Sequence, residues 1–209
     1  MSHRRSGSFL SRLCQQIVVI ATLTLLPTLN SYAQLGRVYT WGYYPHAPNG
    51  ITTPLPEISL PTNVIQTGGT GQVRAALMSD GTVWAWGYNI QGDLGRGFFG
   101  GNDNGDLPPA PVQNLSNVVQ IATGMEGTAS ACFALKSDGT LWSWGSNGYG
   151  QLGNGTNTSQ NLPVQVKNLT NVVQIDATDH TVCALRSDGT VWVWGEINFP
   201  NYATNTTLV

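Results

Sequence analysis

Apolar residues come in short bursts along most of the chain, and each burst is closed by glycine, proline or an Asp-Gly pair. Bursts of that length suit strands rather than helices. One burst recurs: Leu77–Gly87 reads LMSDGTVWAWG, Leu135–Gly145 reads LKSDGTLWSWG and Leu185–Gly195 reads LRSDGTVWVWG. A partial copy runs Gly36-Arg37-Val38-Tyr39-Thr40-Trp41-Gly42. Leucine to second tryptophan is nine residues in every full copy, which marks a rigid unit. A second phrase precedes each full copy: Asn63-Val64-Ile65-Gln66, Asn117-Val118-Val119-Gln120 and Asn171-Val172-Val173-Gln174. Its asparagine stands 14, 18 and 14 residues before the leucine, so the extra residues of the middle copy belong to a loop.

Each phrase predicts an element. Ser-Asp-Gly between apolar runs is a hairpin signal, because Asp and Gly tolerate positive φ. This places Asp80 and Gly81, Asp138 and Gly139, and Asp188 and Gly189 in equivalent turns. On the strand that follows, Trp84 and Trp86 share one face while Val83 and Ala85 take the other. The pairs Trp142/Trp144 and Trp192/Trp194 repeat the arrangement. A strand apolar on both faces must be covered on both, as in stacked sheets. The Asn-Val-Val-Gln phrase supplies a third strand, and Leu162–Val166 a fourth with proline at its edge. Four short strands in roughly 50 residues make one propeller blade. The predicted fold is all-β, with blades of four antiparallel strands. About three and a half repeats span 36–80, 81–138, 139–188 and a partial 189–209.

The phrase Leu-x-Ser-Asp-Gly-Thr-Val-Trp-x-Trp-Gly, with Gly150-Gln151-Leu152-Gly153, resembles the repeats of the regulator of chromosome condensation family. The resemblance covers nearly all of the chain from residue 34 onward. It implies a propeller, usually of seven repeats, that binds partners through loops on one rim. This chain holds about half that number. It also departs at the histidine before the Ala-Leu strand, where only His180 fits and Gly71 and Gly127 stand in the other copies. With the ring incomplete, Trp192 and Trp194 are expected to pack on one side only. A homodimer closing a seven-blade ring is one way to cover such a face; a fragment of a longer cell-surface or adhesin-type protein is another. Nucleotide exchange on a nuclear GTPase, the family's best-known activity, does not suit an exported acidic chain. Secreted propellers of this repeat type that inhibit β-lactamases make an inhibitor of a secreted enzyme a further expectation.

The N-terminus changes the picture of location. Arg4, Arg5 and Arg12 precede an apolar run, Ile17–Leu26, which is short for a bilayer span. Pro27 breaks the run, and Ser31-Tyr32-Ala33 places small residues around a cleavage point. Residues 1–33 therefore read as a signal peptide, cut after Ala33, on a secreted, periplasmic or cell-surface protein with no transmembrane segment thereafter. The full chain carries 9 Lys+Arg and 11 Asp+Glu; three arginines leave with the signal, so the remainder is 6 − 11 = −5. That charge disfavours nucleic acid as a partner. Cys132 and Cys183 remain after cleavage, and both a disulfide and two separate buried thiols are open.

Candidate chemistry is sparse. The three turn aspartates sit in separate blades and cannot easily converge on one substrate. Asp176, Asp179 and His180 form a weak acid–base or metal-ligand cluster, and neither a second metal-binding pair nor paired cleft carboxylates for polysaccharide hydrolysis are evident. No catalytic, cofactor or metal residue is assigned. The tryptophans Trp41, Trp84, Trp86, Trp142, Trp144, Trp192 and Trp194 are read as core rather than as a sugar-binding surface. Five sequons occur, at Asn114, Asn154, Asn157, Asn168 and Asn205; the repeat-equivalent Asn114 and Asn168 are explained by turns. The most individual segment is Phe98–Asp106, and Phe98, Phe99, Asn102, Asp103 and Asp106 are the candidate partner-contact residues. The expected function is a non-catalytic binding or scaffolding module with a protein or cell-surface ligand.

Overall fold

The computed structural model describes residues 38–42, 51–56, 60–69, 73–100, 107–126 and 129–196. The signal-peptide reading of 1–33 lies outside them. Among the described residues there are four antiparallel sheets and no helix. The first pairs β1 (Tyr39–Gly42) with β2 (Ile51–Pro56). The second is β3 (Val64–Gly69), β4 (Val73–Met78), β5 (Val83–Gly87) and β6 (Leu107–Pro111). The third is β7 (Val118–Glu126), β8 (Ala129–Lys136), β9 (Leu141–Gly145) and β10 (Gln160–Gln165). The fourth is β11 (Val172–Thr178), β12 (Thr181–Arg186) and β13 (Val191–Gly195). Strands follow one another as meanders, so every connection within a sheet is local.

The repeated phrases do not coincide with sheets. The Asn-Val-Val-Gln phrase forms the first strand of its sheet, not the third, and the Trp-x-Trp phrase forms the third. Each sequence unit that opens at Gly81 or Gly139 thus completes one sheet and begins the next. Trp41 lies in β1, whose pairing repeats that of β5 with β6: Gly42 faces Ile51 as Gly87 faces Leu107, with an irregularity before it in both.

Turn chemistry is the same three times. Asp80 Oδ1 accepts from the amide and the hydroxyl of Thr82 at 2.9 and 2.6 Å. Asp138 with Thr140, and Asp188 with Thr190, repeat the pair. The threonine hydroxyl, then its amide, hold all three carboxyls below the usual range. Gly81, Gly139 and Gly189 take φ of 78°, 76° and 84°, which glycine adopts without strain. Asn114 and Asn168 sit at φ 56° and 57° in equivalent turns between sheets.

Packing explains the doubly apolar strands. One face of the second sheet, with Val73, Ala75, Leu77, Val83 and Ala85, meets Cys132, Ala134 and Trp144 of the third. The opposite face of the third sheet, with Ala131, Phe133, Leu135 and Leu141, meets Val182, Ala184 and Trp194 of the fourth. Trp86 packs with Ala76, Met78 and Leu60 on the other side of the second sheet. The tryptophans of β9 and β13 therefore point back toward the preceding sheet, and those of β5 lie on the matching face of theirs. This corrects the expectation for Trp192 and Trp194: Trp194 is fully buried and Trp192 is packed against the same cluster. The opposite face of the fourth sheet carries the exposed Val191 and the half-buried Val193.

Cys132 and Cys183, the cysteines among the described residues, are free and point in opposite directions. Cys132 pairs across from Trp144 and is buried between the second and third sheets. Cys183 pairs across from Val193 on the face of the fourth sheet turned away from the third, and is half-buried. Burial raises both thiol pKa values, with the charge of Asp93 adding to Cys132 and that of Asp176 to Cys183. Iodoacetamide at pH 8 on the native protein is expected to label Cys183 and spare Cys132, with both labelled in urea. Equal labelling of both in the native state would contradict this packing.

Candidate partner-binding rim

Two described connections lead from the third to the fourth strand of a sheet, after β5 and after β9, and over their described residues they are built alike. In the loop after β5, Asn89 is buried and its amide bonds in both senses. It donates to Phe98 O and Gly100 O at 3.0 and 2.9 Å and accepts from Leu94 N at 3.0 Å. After β9, the equivalent Asn147 donates to Thr156 O and Thr158 O at 2.8 and 3.0 Å and accepts from Leu152 N at 2.9 Å. Leu94 and Leu152 are each wholly buried beneath these asparagines. A polar side chain can occupy such a place only when its bonds are made, as here.

A second pair ties each loop to the next sheet. Asp93 accepts from Gln91 N at 2.8 Å and from Ser130 N of β8 at 2.9 Å. Burial raises its pKa, and the Ser130 amide opposes that rise first. Gln151 stands at the equivalent place and accepts from Tyr149 N at 2.9 Å. The backbone oxygens of these two residues receive the indole N–H of the following sheet: Trp144 to Asp93 at 3.0 Å and Trp194 to Gln151 at 2.8 Å. Arg96 adds a further pin by donating to Ala85 O and to Pro108 O.

On this fixed backbone stand exposed apolar side chains. Phe98 and Phe99 are 44% and 54% exposed, beside Ile90 at 51%, and Tyr149 of the next loop is 41% exposed. Tyr149 stacks on the buried His180 ring at 4.1 Å between centroids. Asn102, Asp103 and Asp106 lie outside the described residues. Asp176 is exposed and accepts from the amide of Ala177 at 2.9 Å; Asp179 is exposed at φ 40°. Among the described residues no group of three His, Cys, Asp or Glu side chains is placed to hold a metal.

Phe98 and Phe99, the contact candidates named from the sequence, are exposed; Ile90, Tyr149 and the organising asparagines were not singled out there. The signal for the asparagines was present, as Trp86-Gly87-Tyr88-Asn89 and Trp144-Gly145-Ser146-Asn147. Asn147→Ala is expected to lower stability by about 2 kcal/mol, through donors and acceptors left unpaired in a buried site. The loop 146–159 should become the first site of limited proteolysis. An unchanged cleavage pattern would mean that Asn147 does not hold the loop.

Fold and rim together define a class: a blade-repeat protein with pinned, apolar rim loops. Two descriptions of the Regulator of chromosome condensation (RCC1) repeat match it, one over residues 80–130 and 138–185, the other over 118–151 and 172–199. The chain belongs to the RCC1 repeat family. It is 33% identical over 150 residues to the RCC1 domain-containing protein RUG3, mitochondrial, of Arabidopsis thaliana, covering 64% of this chain and 32% of that one. It is 32% identical over 142 residues to the ultraviolet-B receptor UVR8 of the same plant, covering 63% and 30%. The chain therefore spans about a third of the length of these relatives. Yeast RCC1 (Prp20), solved bound to Kap60, is similar in structure with a TM-score of 0.62 and 28% identity, covering 83% of this chain and 44% of that one.

Proposed function

We propose that this protein is a non-catalytic, exported binding module that holds a protein partner on the rim formed by the loops after β5 and β9. The observation that carries this reading is the exposure of Ile90, Phe98, Phe99 and Tyr149 on loops whose backbone is fixed by Asn89, Asn147 and Asp93. Exposed aromatic clusters on a pre-organised backbone bind without a large ordering cost. Similarity to Prp20, whose structure was determined with Kap60 bound, supports a protein as the partner class. The acidic turn residues support a non-catalytic role, since each carboxylate is already engaged by its own threonine.

Export rests on the arrangement of Arg4, Arg5, Arg12, Ile17–Leu26 and Ser31-Tyr32-Ala33. N-terminal sequencing of the protein from its native host should begin at Gln34. The binding reading is tested with a photo-crosslinking amino acid at Phe99, and in a control at Val119, which is exposed at the opposite ends of the strands. A discrete adduct from Phe99 alone supports it. No adduct, or the same adducts from both positions, rejects it. Secreted enzymes are one candidate partner group, and residual activity of a β-lactamase panel with excess protein reads that case directly.

A further inference from the structure

Equivalent phrases in the two rim loops differ in one charge: Gly92-Asp93-Leu94-Gly95 after β5 and Gly150-Gln151-Leu152-Gly153 after β9. In both, the second side chain accepts from the amide two residues before it, Gln91 N to Asp93 Oδ2 at 2.8 Å and Tyr149 N to Gln151 Oε1 at 2.9 Å. The remaining side-chain atom differs. Gln151 Nε2 donates within its own loop to Ser146 Oγ at 3.5 Å, whereas Asp93 Oδ1 reaches the next sheet and accepts from Ser130 N at 2.9 Å. Asp93 is wholly buried, and it is the one buried carboxylate among the described residues. Among those residues no cation pairs with it. From β8 it meets Cys132, whose thiol donates to its backbone oxygen at 3.5 Å. From β9 it meets the uncharged Trp144 and Gly145. Arg96, on its own loop, donates to Ala85 O and Pro108 O instead.

A carboxylate shut away from water with no cation beside it is costly in its charged form. Two amides offset part of that cost, and burial still raises the Asp93 pKa above the ordinary carboxylate value. The two bonds differ in access: the one from Ser130 is buried, and the one from the half-buried Gln91 is partly exposed. We infer that Asp93 is an acid-operated latch in the rim: a proton from solvent binds Oδ2, the bond from Gln91 N is lost, and the Ile90–Gln91 tip is freed while Ser130 N stays on Oδ1. Once protonated, Oδ2 carries a donor where the Gln91 amide needs an acceptor. The tip bears Ile90, which is exposed, and the Gln91 oxygen that accepts from Ser159 Oγ at 3.0 Å. Its release therefore also loosens the tie between the two rim loops. The opening is local. A folded-state pKa above the unfolded value means that the native protein binds this proton more tightly than the unfolded chain does. The stability tied to Asp93 is present in full below the unfolded pKa and falls as pH rises through the folded one, so protonation does not drive global unfolding. The latch would regulate the proposed binding rim, but it is read without a partner, and a rim indifferent to pH would leave the binding site standing.

Amide hydrogen exchange in the natural protein reads the latch, expressed as protection factors so that the intrinsic pH dependence drops out. Between about pH 7 and about pH 4, an interval that brackets a raised carboxylate pKa, protection of the Gln91 amide is expected to fall at least about tenfold. The Ser130 and Tyr149 amides should keep theirs. Asp93→Gln installs the uncharged side chain of the other loop, and protection at Gln91 should then be the same at both pH values. The carboxyl carbon of Asp93, followed by NMR in the natural protein, should titrate together with the Gln91 amide at a midpoint above the ordinary carboxylate value. A carboxyl midpoint at or below that value, or unchanged protection at Gln91, overturns the inference whether or not Asp93→Gln folds. Equal loss of protection at Tyr149 would show a general loosening of the rim in acid. A pH dependence that persists in Asp93→Gln would place the proton elsewhere. Either result also overturns it.

Discussion

Gly145→Ala is expected to cost roughly 3–5 kcal/mol of folding free energy, enough to unfold much of the protein at ambient temperature. Gly145 ends β9 at φ 93°, a conformation that a side chain adopts only under strain. A Cβ there would also fall well inside contact distance of the backbone oxygen of Ser130. That oxygen cannot withdraw, because it accepts from Ser146 N at 2.8 Å while Ser130 N is held by Asp93. Strain and steric conflict act together, and neither is relieved by a rotamer change. Gly148, three residues on in the same loop, has nothing within 4 Å of a built Cβ. Gly148→Ala should stay within about 0.5 kcal/mol of the natural protein. Urea midpoints of the two variants give the comparison; a Gly145→Ala midpoint close to that of Gly148→Ala would show that the β9 end is not so constrained.

The strand content was legible because the repeat states it three times. Constant spacing from leucine to the second tryptophan fixes one rigid hairpin, and Asp-Gly-Thr specifies its turn. Period-two alternation showed that the Trp-x-Trp strand has two apolar faces. It gave no direction along the stack, which is why Trp192 and Trp194 were expected at the open end. Direction is set by contacts between sheets, such as Trp144 to Asp93 and Gln66 to Ile121, which join residues 51 and 55 apart. The cysteines show the same limit. Cys132 sits opposite Trp144 and Cys183 opposite Val193, so a one-residue difference in position within otherwise matching strands turns them to opposite faces. At the rim, Phe98 and Phe99 were visible because two adjacent phenylalanines in a glycine-rich stretch are unusual. Ile90 and Tyr149 were not, since a single apolar residue in a loop carries no signal until its neighbours in space are known.

Trp144→Ala is expected to remove about 3–5 kcal/mol and to split the unfolding transition. The indole is almost wholly buried among Val83, Ala85, Leu94 and Val112, so truncation leaves a large apolar cavity between the second and third sheets. It also leaves Asp93 O without the donor it has at 3.0 Å. Trp144→Phe keeps most of the ring but loses that bond, and should cost about 1–3 kcal/mol. In a linear stack, stability is a sum of sheet terms and nearest-neighbour interface terms. Weakening one interface therefore need not weaken the next, where Trp194 still donates to Gln151 O at 2.8 Å. Hydrogen exchange should show β3–β5 losing protection in Trp144→Ala well before β11–β13. Uniform loss across all sheets would mean that the stack folds as one cooperative unit. The Gln66–Ile121 clamp and the Asp93–Ser130 bridge would then couple the sheets strongly enough to survive removal of the largest side chain between them.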